Sequence, residues 1–393
     1  MRRFLILLLF VLALSTPAFA QFDMQQIAVI QGATDNLYFG YILSGIGDIN
    51  NDGFEDLGIG QVGKTFIYFG SKNFDTIPDI TFPFSSTYIS SGDVNGDSIE
   101  DLLVTPFTFS AVWIYYGGTP FDTVPDKILA TPYFEDNIAT GDINKDGYDD
   151  VAIHGSPTRV YVYWGGADMS TSPAYVLQGP PNYFGSDGLD IGDVNGDGYK
   201  DLAVSTNYGS PLPDSTYIYF GGVQLDTVPR IKLNGGFAIL GDVNGDGYKD
   251  LITVEGTYFG GNTIDSLTDS PLCIRGQSWA IGNFNTDKYE DLLSGVPTLA
   301  GGEAWIYLGS NPLDTTQDWH YYDGEVGDYG AQVGSADING DGIDEAIVGD
   351  PGWWYNNPSF PPGRVYIYKN PYTTVEEYEN QLPHSFALGQ NYP

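Results

Sequence analysis

The nine residues Asp193-Val194-Asn195-Gly196-Asp197-Gly198-Tyr199-Lys200-Asp201 show how this chain is built. Oxygen-bearing side chains stand at positions one, three, five and nine of the segment, and glycine stands at position six. A curling loop can aim alternate side chains at one point, and glycine permits the positive φ that a sharp turn requires. The apolar run Leu202–Val204 follows at once. The segment therefore predicts an acidic loop that leads into a β-strand.

The same loop occurs seven times, at intervals of 41 to 54 residues, and each copy keeps an acidic residue at position nine. Clusters of Asp, Asn and Gly also occur as plain turns, so a single copy would say little. Seven copies indicate a repeat architecture with a shared role for the loop. The copies begin at Asp48, Asp93, Asp142, Asp193, Asp242, Asn283 and Asp337.

The donor set of the loop is typical of a calcium site. Oxygen-only ligands in a flexible loop suit Ca²⁺ better than zinc, which prefers nitrogen and sulfur, or magnesium, which prefers strict octahedral geometry. We predict five to seven Ca²⁺ sites, in which the side chains at positions one, three, five and nine and the main-chain carbonyl at position seven are ligands. The candidate ligands are Asp48, Asn50, Asp52, Phe54 and Asp56; Asp93, Asn95, Asp97, Ile99 and Asp101; Asp142, Asn144, Asp146, Tyr148 and Asp150; Asp193, Asn195, Asp197, Tyr199 and Asp201; Asp242, Asn244, Asp246, Tyr248 and Asp250; Asn283, Asn285, Asp287, Tyr289 and Asp291; and Asp337, Asn339, Asp341, Ile343 and Glu345.

Three copies depart from the pattern. The second has Ser98 at position six, the sixth has Asn283 at position one and Lys288 at position six, and the seventh ends in Glu345. The sixth loop loses a negative ligand and gains a nearby cation, so its occupancy stays open. An EF-hand is excluded because position twelve, which must be Glu there, is apolar or hydroxylic in every copy.

Strand signals between the loops predict four strands per repeat. An apolar segment precedes each loop and another follows it, and a β-branched and aromatic strand such as Val160–Gly166 comes next. A short edge strand such as Tyr175–Gln178 ends the unit. Four-stranded sheets repeated radially form a propeller. We therefore predict an all-β, seven-bladed β-propeller in which the N-terminal strand, around Ile27–Gly32, completes the last blade.

At this level of detail the chain resembles the FG-GAP repeat family, which includes the propeller of integrin α subunits. Phe39-Gly40 and Phe184-Gly185 match the FG element, and Gly295-Val296-Pro297 and Gly349-Asp350-Pro351 approximate the GAP element. The resemblance covers roughly residues 26–370. It implies that the calcium loops lie on one face and that ligands bind on the opposite face.

The two ends of the chain differ from the repeats. Residues 1–20 read as a signal peptide, because Arg2 and Arg3 precede the apolar stretch Phe4–Leu14 and a small-residue cleavage site. We assign residues 21–370 to the propeller. We assign residues 371–393 to a linker and the start of a truncated sorting region, since the last twelve residues resemble the opening of a type IX secretion sorting domain. A secreted or cell-surface location follows from these assignments.

The composition excludes several classes of partner for this chain. The net charge is −36, which argues against nucleic acid or an anionic membrane as a partner, and the single cysteine excludes an intrachain disulfide. The apolar stretch at the start is too short for a bilayer, so we expect no membrane insertion. No nucleophile elbow or zinc-protease motif is present. The sequence therefore predicts a non-enzymatic recognition or adhesion scaffold for an extracellular protein or glycan.

The most prominent candidate ligand residues are three adjacent aromatics, Trp353, Trp354 and Tyr355, in a long Gly- and Pro-rich loop. Aromatic loop residues on a rigid scaffold often bind partners, although capping of the core is an equally good interpretation. The alternative function is a polysaccharide lyase or hydrolase on a calcium-binding propeller. The basic cleft that a uronate substrate would need is not evident among only 15 Lys and Arg residues. A third possibility is a purely structural surface segment.

Overall fold

The computed structural model describes residues 22–33, 38–131, 137–156, 158–180, 184–206, 214–236, 239–273, 276–298, 301–324, 328–352 and 362–372. These residues form seven small antiparallel sheets. The part of the chain so described contains no helix, and so none that could span a membrane. The strands are, for blade one, β2 (Ile42–Gly45), β3 (Leu57–Gln61), β4 (Lys64–Tyr68) and β5 (Ile80–Phe82); for blade two, β6 (Ser86–Gly92), β7 (Asp101–Pro106), β8 (Ala111–Tyr115) and β9 (Lys127–Ala130); for blade three, β10 (Ile138–Gly141), β11 (Asp150–Ser156), β12 (Arg159–Tyr163) and β13 (Tyr175–Gln178); for blade four, β14 (Phe184–Gly192), β15 (Asp201–Thr206), β16 (Ser215–Tyr219) and β17 (Ile231–Asn234); for blade five, β18 (Ile239–Gly241), β19 (Asp250–Ile252) and β20 (Thr257–Tyr258); for blade six, β21 (Ser278–Gly282), β22 (Asp291–Val296), β23 (Glu303–Tyr307) and β24 (Trp319–Tyr322); and for blade seven, β25 (Gln332–Ala336), β26 (Glu345–Asp350), β27 (Arg364–Lys369) and β1 (Gln25–Gln31).

The first strands of the blades form a closed ring. Each packs against the first strand of the next blade, from β2 through β6, β10, β14, β18 and β21 to β25, and β25 packs against β2. The other strands of each blade follow outward in chain order. This arrangement is a seven-bladed β-propeller, so the predicted fold is confirmed.

The ring closes as predicted, because the N-terminal strand is part of the last blade. The N-terminal strand β1 pairs antiparallel with β27 and supplies the outermost strand of blade seven, with Ile30 opposite Val365. Strand β27 pairs in turn with β26. The blade is therefore built from both ends of the propeller, which leaves β27 no unpaired edge.

Blade five departs from the predicted four strands. Its sheet has the three strands β18, β19 and β20, and a single isolated bridge between Thr257 and Ser270 takes the place of the fourth strand. Pro271 follows the bridge directly. Because proline has no N–H group, it cannot continue the ladder, and the edge strand ends after one residue pair.

The cores lie between neighbouring blades, because strands of period two present alternate residues to the two sides. In β12, Val160 and Val162 pack toward blade four, whereas Tyr161 and Tyr163 pack toward blade two. Seven apolar clusters of this kind occur among the described residues, one at each blade boundary. Burial of both sheet faces explains why the second and third strands are apolar almost throughout.

Main-chain hydrogen bonds also join each blade to the preceding one. The third residue after the third strand of a blade donates its N–H to the carbonyl of position two in the acidic loop of the preceding blade, as Gly166 does to Val94 at 2.8 Å. The same bond crosses the closure, from Ser71 to Ile338. At the boundary of blades six and seven, the Asn370 side-chain amide donates instead to the Phe284 carbonyl, at 3.0 Å. The acidic loops are therefore part of the joints between blades.

Candidate functional site

The seven acidic loops lie at one end of the propeller. Each connects the first strand of a blade to the second, as predicted. The turns between third and fourth strands lie at the same end because the strands are antiparallel, and the turns between second and third strands lie at the opposite end. We call the first end the loop face and the second the opposite face.

Each loop is held by its own carboxylates. In six loops the N–H of position six donates to the carboxylate at position one, as Gly198 does to Asp193 at 2.9 Å. In all seven loops the N–H of position seven donates to the carboxylate at position five, as Tyr199 does to Asp197 at 3.0 Å. These bonds fix the curl that brings positions one, three and five toward the same side of the loop.

The carboxylate at position nine is fully buried in every copy. In Asp201, Oδ2 accepts the N–H of Val194 at the start of the loop, and Oδ1 accepts the N–H of Gly221 after the third strand. Five other copies repeat this pair of bonds. In the seventh copy, Glu345 Oε2 accepts the N–H of Ile338 and Oε1 accepts from the Asn339 amide. Position nine therefore ties the loop to the third strand.

Burial raises the pKa of the carboxyl groups at position nine. Desolvation raises the pKa of Asp56 and Glu345 to about 8, and that of Asp101, Asp150 and Asp201 to about 7. The backbone N–H donors oppose this rise, and the carboxylates at positions one and five add to it. Three carboxylates in one loop thus repel one another, and a bound cation would relieve that repulsion.

In two loops the amide oxygen at position three has no protein partner. The amide oxygens Asn50 Oδ1 and Asn144 Oδ1, at position three of loops one and three, are buried and accept no hydrogen bond. A buried acceptor without a partner is costly, and a hard cation is one group that would satisfy it. In loops two, four and five the position-three Oδ1 accepts the position-five N–H, as Asn195 does from Asp197. The residues present therefore fit a calcium ion best in loops one and three.

The carboxylates alone do not assemble a site. Within the described ranges, no three His, Cys, Asp or Glu side chains converge closely enough to hold a metal ion. A cation in these loops would need the amide oxygen of position three and the carbonyl oxygen of position seven as well. The candidate ligands thus share one loop in every blade, and their assignment as ligands stays a prediction.

The irregular loops differ in backbone as well as sequence. Ser98 adopts the left-handed conformation that glycine has elsewhere, with φ of 69°. Lys288 is not among the left-handed residues of the described chain, and its N–H makes no bond to position one. In the same loop Asn283 Oδ1 is buried without a partner. The sixth loop therefore has a different turn from the other six.

One set of residues was not predicted. Position eight is charged in all seven copies, and several of these side chains cross to the preceding blade. Glu55 accepts the N–H of Asp337 at 3.0 Å, across the closure, and Asp344 accepts that of Asn283 at 2.9 Å. Lys249 pairs with Glu290 at 2.6 Å. Invariant charge at position eight is a signal that could have identified these bridges from the sequence.

The predicted aromatic residues Trp353, Trp354 and Tyr355 lie outside the described residues. The strands on either side are described: Asp350 at the end of β26 pairs with Arg364 at the start of β27. This hairpin end belongs to the opposite face. The predicted signal peptide at residues 1–20 and the sorting region from residue 373 onward also lie outside the described part of the chain.

Comparisons with known proteins agree with this geometry. A family model for the FG-GAP-like repeat matches residues 93–153 and 142–204. Integrin alpha-5 of Xenopus laevis is 27% identical over 215 residues, which are 51% of this chain and 17% of that protein. Integrin alpha-V of Gallus gallus is 26% identical over 218 residues, 52% of this chain and 18% of that protein. The similarity therefore spans less than a fifth of either integrin subunit.

A shorter alignment is closer in sequence. Integrin alpha-6 of Homo sapiens is 38% identical over 84 residues, 20% of this chain and 7% of that protein. Among solved structures, BBS1N in a complex with ARL6DN superimposes with a TM-score of 0.59 at 11% identity and covers 89% of this chain and 98% of that one. At that identity the likeness concerns the fold alone. The chain is therefore a seven-bladed β-propeller that contains FG-GAP-like repeats and is similar in sequence to part of the integrin α subunits.

Proposed function

We propose that the protein is a calcium-stabilised recognition scaffold, exported to the cell surface or beyond, that binds an extracellular protein on its opposite face. The integrin-α-like propeller supports an interaction role rather than catalysis. The fold supplies a rigid ring whose opposite-face turns are free to vary in sequence, which is the usual arrangement for recognition surfaces. The predicted signal peptide and the predicted aromatic ligand residues Trp353, Trp354 and Tyr355 are parts of this proposal.

The observation that carries the calcium assignment is the pair of buried, unpartnered amide oxygens Asn50 Oδ1 and Asn144 Oδ1. They lie in loops that also hold carboxylates at positions one, five and nine. A bound Ca²⁺ would neutralise two of these negative charges and would satisfy the orphaned oxygen. Since the loops also form the joints between blades, metal binding would stabilise the ring as a whole.

Thermal unfolding with and without a chelator tests this assignment. Calcium at a hundred times its Kd contributes about 2.7 kcal/mol per site, so chelation should lower the melting temperature clearly. Asn50→Ala should reduce the calcium-dependent gain and remove one ion in native mass spectrometry, with little change in the chelated protein. Asn73→Ala, at an exposed position in a turn, is the matched control. Identical unfolding curves with and without the chelator would contradict the assignment.

The recognition role has a separate test. A variant with Trp353, Trp354 and Tyr355 all replaced by Ala should keep its calcium-dependent melting temperature and lose capture of a surface protein identified with the intact chain. The matched control replaces the exposed loop-face residues Ile77, Val124 and Val228 by Ala. Equal capture by both variants would exclude the aromatic loop as the binding surface.

A further inference from the structure

A polar cavity lies on the propeller axis. It has a volume of about 350 Å³ and is lined by residues of the first strands of blades two to seven or of the turns that lead into them. These first strands form the central ring, so the cavity is a product of ring closure and belongs to no single repeat. Its volume is at the small end of the range for small-molecule sites.

The lining consists mainly of neutral groups that can both donate and accept hydrogen bonds. It includes Tyr88, Ser90, Asn137, Ser278 and Gln332, and no Lys or Arg is among the described residues that line it. Ser278 is 7% exposed, and its Oγ is buried without a hydrogen-bond partner. Asn137 is 8% exposed. A buried hydroxyl without a protein partner, as in Ser278, requires a partner from outside the chain, either water or a ligand.

One carboxylate gives the cavity its polarity. Asp190 Oδ2 accepts the N–H of Leu240 in the next blade at 2.8 Å, and Oδ1 accepts the N–H of Ile191 at 2.8 Å. These bonds fix the side chain, while each oxygen keeps a second lone pair for a ligand. Tyr88 lines the same cavity as Asp190. Burial raises the pKa of Tyr88, and the Asp190 charge adds to that rise.

The donor and acceptor balance decides between ligand classes. An anion is disfavoured by Asp190, the charged side chain among the described lining residues. An ammonium ion could pair with Asp190, but it has no acceptor for the amide N–H groups of Asn137 and Gln332, which would stay unpaired. A hydroxyl group can donate to the carboxylate and accept from an amide at once. The aromatic lining residues Tyr88 and Trp279 offer apolar surface to a sugar ring.

We propose that this axial cavity binds a small neutral polyhydroxylated ligand, of the size of one or two sugar units. Hydroxyl groups of the ligand donate to Asp190 and accept from Asn137 and Gln332. Ser278 Oγ gains its missing partner. This site is distinct from the acidic loops and from the turns between second and third strands, and it does not depend on the function proposed above.

Calorimetry on the calcium-saturated protein with free glucose, galactose, mannose and rhamnose tests the proposal. We expect saturable binding of at least one sugar with a Kd below about 50 mM. A millimolar Kd corresponds to a binding free energy of about −4 kcal/mol. Asp190→Asn should weaken that binding at least tenfold. The control is Asp168→Asn, since Asp168 is 97% exposed and remote from the axis.

Ser278→Val separates binding from folding. The unpartnered hydroxyl contributes little to stability, so this variant should melt at or above the temperature of the parent chain and still lose sugar binding. Ser172→Val, at an exposed turn, is its control. Absence of sugar binding, binding unchanged in both cavity variants, or binding of methylammonium in place of sugars would each overturn the proposal.

Discussion

The carboxylate at position nine is the residue on which each repeat depends. It is fully buried, and it accepts main-chain N–H groups from two segments that are distant in sequence, as Asp201 does from Val194 and Gly221. Such a group has a structural role in addition to any role as a calcium ligand. Position three has no comparable role, because its amide makes only bonds within its own loop. The two positions should therefore respond differently to substitution.

Asp201→Asn should destabilise the protein by about 1–3 kcal/mol even when all calcium is chelated. The amide cannot accept both N–H groups with the same geometry, and a buried N–H is left without a partner. The effect is measured by denaturant unfolding in excess chelator. Asp168→Asn, at a fully exposed site, is the control. A loss of stability seen only in the presence of calcium would show that position nine acts solely as a ligand.

The strand that closes the ring, β1, is held in place by its pairing with β27 and by one buried side chain. Strand β1 lies at the edge of blade seven, and its inward residue Ile30 is 1% exposed in the cluster between blades seven and one. Ile27, three residues earlier in the same strand, is 40% exposed. Burial of Ile30 sets the register of the strand, because a one-residue slip would turn this side chain toward solvent.

Ile30→Ala should cost about 2–5 kcal/mol in the free energy of unfolding, because it removes buried side-chain volume and leaves a cavity. Ile27→Ala removes the same atoms from a solvent-exposed position and should cost less than about 1 kcal/mol. The pair is compared by denaturant unfolding. Equal costs for the two variants would mean that β1 is not packed as described.

At the scale of the whole molecule, each blade packs against the next around a closed ring. Each joint contains an apolar cluster and a hydrogen bond to the acidic loop of the preceding blade, which a main-chain N–H donates in six joints and the Asn370 side chain donates in the seventh. Several joints also contain a bridge from position eight. The last joint is made by β1, which comes from the opposite end of the sequence. Closure therefore protects the edge of β27 from pairing with other chains.

A chain that begins at Gly32 lacks β1 and should self-associate. The exposed edge of β27 and the uncovered apolar residues Val365 and Ile367 offer a template for pairing with another molecule. Size-exclusion chromatography with light scattering should show larger species than a chain that begins at Phe22. A synthetic peptide of residues 22–31 should reverse the association. Identical elution of the two chains would argue against closure by β1.

Much of this architecture is encoded locally. The acidic loops, the strands that flank them and the likeness of the N-terminal segment to an edge strand predicted a seven-bladed propeller and its closing strand, because turn chemistry and period-two patterns act over a few residues. Among the described residues of blade five, a single bridge takes the place of the fourth strand that the other blades have. Pro271 follows that bridge and ends the edge strand, which the pattern shared by the repeats did not predict.

What the sequence alone determined is therefore the repeated unit, its loop chemistry and its number. Only the tertiary structure decided which groups are buried, which oxygens of the loops lack a partner, and where charges cross from one blade to the next. The axial cavity is the clearest case: Ser90, Asn137, Asp190 and Ser278 come from four different blades and share no motif. Closure of the ring brings them together, because side chains far apart in the chain become neighbours only when all seven blades pack around one axis.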